Sequence, residues 1–262
     1  MRSRFQQGLD ELRDKLLRMG GLAEQAIDRA TEAYRTRDAK FCQMVFTGEN
    51  AINQAERDID ELALDLLAMQ QPMAIDLRFI MAVIKINADL ERVGDQAVNI
   101  AQRVLDLISE PPVELPVDIP KMASSVSTMV QKALESFLDG HAEVAESVLQ
   151  MDNVVDRMKD EAFVVLVQKM QTEPAVTRAA LNVLLVARNL ERIADHATNI
   201  AEDVIFWVRG ADVRHGGAHF PQCVRENGLP PGTLPRGWLP VGRAGDNMNP
   251  KKCAMTRCAA NC

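Results

Sequence analysis

Aromatic residues make up only 4% of this 262-residue chain, with a single Tyr. That scarcity argues against a sandwich or barrel, whose strands draw on aromatic and β-branched side chains. No apolar run approaches the roughly 20 residues of a membrane span, and the opening MRSRFQQGLDELRDKLLRMG has no apolar leader and no cleavage site. Its arginines alternate with Asp10, Glu11 and Asp14, so it reads as an amphipathic first helix rather than a basic membrane anchor. Cysteine is confined to Cys42 and to four positions beyond residue 220, a usage that suits a reducing compartment. There is no Gly-rich phosphate loop, no nucleophile elbow and no His-Glu-x-x-His.

What is present is Ala, Leu, Val, Ile and Met in helical spacing. Leu9, Leu12, Leu16, Met19, Ala23, Ile27 and Ala30 step by three and four, the period of an amphipathic helix. Comparable patterns predict helices over about 39–70, from near Pro72 to before Pro111-Pro112, and over about 118–138, 141–170 and 174–209, with Arg37-Asp38 and Asp139-Gly140 as turns. Pro72 and Pro174 stand at helix starts, where a missing N–H is harmless. Thr172 is a candidate cap, and His141 is expected to cap or to lie exposed. Met69, Met73 and Met81 are expected to pack near a helix junction, and Phe79 and Phe163 to lie in the core or an interface.

The segment EPPVELPVDIP at 110–120 holds four prolines and no helical period. It divides the chain into units of 1–109 and 118–216 joined by a linker at 110–117. Residues 217–262 are Gly- and Pro-rich without periodicity and are expected to be disordered. The formal charge of the chain is −7; residues 211–262, with 7 Lys+Arg against 3 Asp+Glu, contribute +4 and leave −11 for the rest. Such a body disfavours nucleic acid and anionic membrane.

The two halves echo each other. ERVGDQAVNI at 91–100 returns as ERIADHATNI at 191–200, 100 residues later. Glu91 and Asp95, and Glu191 and Asp195, therefore occupy equivalent places, four apart on one helical face. Like charges so placed destabilise a bare helix by roughly 0.2–0.5 kcal/mol per pair. Arginines at 92 and 192 or a bound cation are the two ways to offset this. On a helical projection Asn87, Glu91, Asp95 and Asn99 form a stripe away from the apolar one of Leu90, Val93, Ala97, Ile100 and Val104. Glu191, Asp195, Asn199 and Asp203 form its equivalent in the second unit, so these acids are expected to face solvent or another helix's edge. The preceding helix of each unit adds a second pair, Glu56 with Asp60 and Asp152 with Asp156. If the paired helices are adjacent, four carboxylates per unit converge on an all-oxygen site of the kind that takes Mg, Mn, Ca or iron, with His196 as a possible nitrogen donor. The plain alternative is a solvated acidic face copied by duplication. The rival enzyme class, an oxygen-ligand metalloenzyme of the di-iron bundle type, requires Glu-x-x-His, and the sequence has none. Cys253, Cys258 and Cys262, with His215, His219 and Cys223 upstream, leave a structural zinc or incidental thiols open.

The chain resembles the PhoU family of bacterial phosphate-signalling regulators. Met19-Gly20, QPMAIDLRFI at 71–80, DLERVGDQAVNIA at 89–101 and NLERIADHATNIAEDVIFWVRG at 189–210 carry the resemblance, which spans about 1–216. It implies an all-α fold of six long helices in two tandem homologous three-helix bundles. It implies a non-enzymatic, cytoplasmic, homodimeric adaptor that represses the phosphate-starvation response and modulates phosphate uptake. Its implied partners are the ATPase subunit of the high-affinity phosphate importer and the sensor histidine kinase, with no nucleic acid and at most peripheral membrane association through those partners. Its implied metal ligands are Glu56, Asp60, Glu91, Asp95, Asp152, Asp156, Glu191 and Asp195, holding iron, manganese or magnesium as multinuclear surface clusters. Asp152, where a Glu is the pattern, puts equal occupancy of the two halves in question. Residues 217–262 depart from the family and read either as an accessory tail or as the product of a shifted reading frame.

Overall fold

The computed structural model describes residues 4–69, 72 and 74–210. The expectations for Met73, for the Met69 side chain, for the 217–262 tail and for its cysteines with His215 and His219 lie outside the described residues. The described residues form six long α-helices and no strand: α1 (Arg4–Thr36), α2 (Ala39–Met69), α3 (Ala74–Ile108), α4 (Ile119–Asp139), α5 (Ala142–Thr172) and α6 (Thr177–Arg209), the last preceded by a 3-10 turn at Pro174–Val176. The fold is all-α, as the apolar spacing predicts.

Local chemistry sets the boundaries. Asp118 accepts a hydrogen bond from the Lys121 amide at 3.0 Å and Pro120 follows in the first turn of α4, an N-terminal cap with the proline where it is tolerated. Gly140 ends α4 at φ 64° and Gly210 ends α6 at φ 68°, the left-handed closure that glycine adopts without a Cβ penalty. Thr172 does not cap α6. It is the last residue of α5, and its hydroxyl donates back to the carbonyls of Gln168 and Lys169. His141 stands at the start of α5 with no side-chain capping bond.

The turn between α1 and α2 is different. Arg37 takes φ 54°, a conformation that costs a non-glycine residue about 1 kcal/mol or more. Its guanidinium offsets this by donating to the Leu107 carbonyl and, at 2.7 Å, to the Glu110 carbonyl. Both acceptors belong to the C-terminal end of α3 or the residues just after it, where carbonyls lack helical partners. Glu110 in turn pairs with Arg178 at 2.9 Å, so one linker residue joins the α1–α2 turn to the start of α6.

Each group of three helices buries its stripes inward, and the two groups meet along α3 with α6 and α1 with α4. Gly20 marks the α1–α4 approach, since a Cβ there would lie 2.7 Å from Leu134 Cδ1; at Gly94 it would lie 2.8 Å from Ile52 Cδ1. α3 and α6 run antiparallel, with Lys85 paired to Asp203 at 3.2 Å and Arg78 Nε donating to the Trp207 carbonyl at 3.4 Å. Phe79, Phe137 and Trp207 close one end of this seam, with ring centroids 5.2 to 5.8 Å apart. The Arg13 guanidinium lies 5.3 Å from the Phe79 centroid, a cation–π contact. Phe79 is a core residue as expected, whereas Phe163 is 53% exposed and Met81 is 39% exposed. Neither of these two packs into the interior.

Candidate functional site

The carboxylates sit where antiparallel α2 and α3, and antiparallel α5 and α6, lie side by side. Seven of the eight are partly covered and Asp195 is exposed. These eight acids therefore avoid the apolar core, as the helical projection predicts, whereas Asn87 and Asp203 of the same projected stripes are buried, turned to the neighbouring helices α2 and α3.

In the first bundle, Asn87 on α3 fixes the pairing of the two helices. It is buried, and its Nδ2 donates to Asp60 Oδ1 at 2.9 Å and to the Glu56 carbonyl at 3.0 Å. Glu91 then faces Asp95 and Glu56 closely enough that its carboxyl is raised above the usual range, by desolvation first and then by repulsion from those two acids. Asp95 and Glu56 are thus within electrostatic reach of one group, drawn from two helices.

The second bundle repeats this with altered neighbours. Asp195 is pushed up to about 6. Desolvation is the largest cause even though the residue keeps an edge in water, and Glu191, Asp152 and Asp156 follow, opposed by His196. Asp152 is also raised, by burial first and then by Asp156 and Glu191. A cation is already present in this group. Lys159 Nζ lies 3.3 Å from Glu191 and 3.2 Å from Asp160. The corresponding position in the first bundle, 96 residues earlier, is the buried Ala63.

Two sequence expectations are corrected here. His196 is no ligand of the carboxylate group in this arrangement; its Nδ1 lies 2.9 Å from Asp89 Oδ1 on α3, and Asn199 donates to the same oxygen at 3.2 Å. Histidine and its neighbour Asp195 lie about 100° apart around the helix, which aims His196 at the seam rather than at α5. Arg92 and Arg192 form no ion pair with Asp95 or Asp195 among the described residues, although the Arg92 charge does act on Glu91, opposing the rise of its carboxyl. Asn87 and Lys159 are the residues sequence reasoning undervalued. Lys159 follows Asp156 by three and so shares its face, which is a signal the spacing contains.

An all-oxygen donor set of mutually repelling carboxylates suits a hard cation, whose charge would relieve the repulsion. Among the described residues, no three acidic, histidine or cysteine side chains are already gathered tightly enough to hold one ion. The donor chemistry fits; the ligand cage is not preformed. A cavity of about 620 Å³ lies elsewhere, lined by Tyr34, Arg37, Leu107, Leu115, Lys169 and Val183 at the linker end. None of the eight acids borders it.

Comparison with known proteins agrees with this architecture. The PhoU domain matches residues 16–104 and again 119–204. The phosphate-specific transport system accessory protein PhoU homolog of Pseudomonas aeruginosa is 43% identical over 216 residues, covering 81% of this chain and 88% of that protein. The PhoU homolog of Aquifex aeolicus is 36% identical over 220 residues, covering 84% and 97%. Among solved structures, PhoU from Pseudomonas aeruginosa superposes with a TM-score of 0.76 at 41% identity, covering 79% of this chain and all of that one (100%). The phosphate transport system regulatory protein PhoU from Streptococcus pneumoniae gives 0.72 at 26% identity, covering 80% and 99%. With two matched domains, six helices in the same arrangement and relatives this close over most of its length, the chain belongs to the PhoU family of phosphate-specific transport accessory proteins.

Proposed function

We propose that this protein is a non-enzymatic, metal-binding adaptor that represses the phosphate-starvation response. In this reading it couples the high-affinity phosphate importer to the phosphate-sensing histidine kinase and modulates uptake. The observation that carries the proposal is the pair of carboxylate groups, one per bundle, each assembled from two helices and each containing a carboxyl raised first by burial and then by repulsion from its neighbours.

Glu56, Asp60, Glu91 and Asp95 would hold iron, manganese or magnesium on the first bundle, and Asp152, Asp156, Glu191 and Asp195 on the second. Bound cations supply charge neutralisation on a helical surface. Asn87 orients Asp60 toward that surface, and Lys159 competes for Glu191. The family's adaptor role supports the importer ATPase subunit and the sensor kinase as partners, a homodimer as the working form, and the cytoplasm as its place. Contact with the membrane would then be peripheral and through partners; among the described residues no helix is long and apolar enough to cross one.

The test is genetic. A deletion strain carrying a reporter for a phosphate-starvation gene should express it in high phosphate, and the wild-type chain should restore repression. Normal repression in the deletion strain contradicts the proposal.

A further inference from the structure

The cavity at the linker end has walls from both bundles. α1 and α3 supply Tyr34, Val104 and Leu107, α5 and α6 supply Lys169 and Val183, and the linker contributes Leu115. Its volume of about 620 Å³ falls within the roughly 300–1,000 Å³ of small-molecule pockets. Much of the lining is apolar. Val104, Leu107 and Val183 are buried, and Leu115 packs against the core from the linker.

The charged part of the lining is cationic, although the body of the protein is acidic. Arg35, Arg37 and Lys169 border the cavity against one acid, the exposed Glu114. Arg35 pairs with Glu32 at 2.6 Å and Lys169 with Glu173 at 2.5 Å, and neither of those acids lines the cavity. Arg37 is the exception. Its Nη2 donates to two neutral carbonyls, and its Nε and Nη1 have no acceptor among the described residues. Burial pushes the Tyr34 phenol up, with the nearby Arg37 charge opposing, so the phenol stays a neutral donor at neutral pH. Arg37 also holds φ 54°, where glycine would sit without strain. A side chain kept against backbone strain points to a task for that side chain, and the two carbonyl bonds leave most of this guanidinium unused.

We propose that the cavity binds a small organic anion with an apolar body, its phosphate or carboxylate head held by Arg37, Arg35 and Lys169 and its body lying against Leu107, Leu115 and Val183. Charge selects the head, because guanidinium and ammonium groups form charge-assisted hydrogen bonds to such oxygens, whereas a cationic ligand would find only Glu114. The apolar lining selects the body, since inorganic phosphate would leave that surface uncovered. A ligand seated here touches both bundles and the linker, so its binding stabilises their junction. The site is separate from the carboxylate groups, none of which borders it.

The probe is naphthyl phosphate, whose ring fluoresces, titrated into the full chain in the presence of a metal chelator. The chelator makes the outcome independent of whether the carboxylates bind metal. Fluorescence should change saturably, and the melting temperature should rise with probe concentration. Naphthoate and octyl phosphate should each displace the probe, and their relative strengths identify the preferred head and body. Neutral naphthol and inorganic phosphate should bind at least about tenfold more weakly. Arg37→Ala should weaken the probe by about tenfold or more, and Lys169→Glu, which leaves the turn at residue 37 intact, should do the same. Arg18→Glu, the same charge change at an exposed site along α1 that does not line the cavity, should leave the affinity nearly unchanged. No saturable binding below about 1 mM, naphthol binding as tightly as its phosphate, or equal losses in Arg18→Glu and Lys169→Glu overturns the proposal.

Discussion

Lys159 Nζ lies 3.3 Å from Glu191 Oε1 in the second bundle, while the equivalent place in the first bundle is the buried methyl of Ala63. A built-in ammonium and a bound metal ion compete for the same carboxylate. The two bundles, though repeats, should therefore differ in cation affinity. Titration of metal-free protein with Mn²⁺ should resolve a tighter first-bundle site and a weaker second-bundle one. Lys159→Ala should tighten the second by several-fold, in line with the roughly 1 kcal/mol of a partly exposed ion pair. Two equal sites in the wild type, unmoved by the substitution, would refute the competition.

Asn87 anchors Asp60 from a buried position. Replacing it with Ala removes two hydrogen bonds and leaves a small void, which should destabilise the fold by about 1–3 kcal/mol. It should also loosen cation binding at the first bundle alone. Thermal unfolding and the same Mn²⁺ titration measure the two effects separately. A change in stability with both affinities intact would reduce Asn87 to a packing role.

Stability should depend on pH in a defined direction. Asp195 is raised from 3.8 to about 6 in the folded protein, so the folded state binds the proton more tightly than the unfolded chain. This contribution is fully present below pH 3.8, and it is lost as pH rises through about 6. Glu91 and Asp152 shift in the same direction. In chelator at pH 7, Asp195→Asn should therefore stabilise the protein, by about 1 kcal/mol once solvent screening of this exposed group is allowed for. Saturating metal should abolish the gain. A destabilised Asp195→Asn protein in chelator would mean that the carboxylate is satisfied rather than repelled.

Arg37 tests the linker end. Arg37→Ala keeps the left-handed turn and loses both bonds to the end of α3, and should cost about 1–3 kcal/mol. Arg37→Gly removes the backbone penalty and should recover about 1 kcal/mol of that. Chemical denaturation of the two variants should rank them wild type, then Gly, then Ala. A Gly variant less stable than Ala would show that the turn is not strained.

Much of this was readable from the sequence because it is periodic. Steps of three and four placed six helices, and the repeated ER-x-x-D-x-x-x-NI block with its upstream acid pairs identified the carboxylate faces. What escaped were relationships across helices. The use of His196 toward Asp89 depends on the antiparallel seam of α3 with α6, which no local pattern states. The turn at Arg37 lacks the glycine that signals a left-handed residue, because a guanidinium reaching Glu110, 73 residues away, compensates for it. By type, Phe163 reads as a core or interface residue and Met81 as packing near a helix junction. Their positions on the acidic outer faces, rather than their hydrophobicity, decide that they are exposed.

The central claim is that the twin carboxylate groups hold cations. Metal analysis of purified full-length protein, wild type beside the Glu91→Ala/Asp95→Ala/Glu191→Ala/Asp195→Ala variant, tests it most directly. Helix content should be retained in the variant, because all four side chains lie off the apolar core. Bound iron, manganese or magnesium should fall to near background, with Glu91→Ala/Asp95→Ala alone removing the first bundle's share. An unchanged metal-to-protein ratio in the folded fourfold variant would contradict the account.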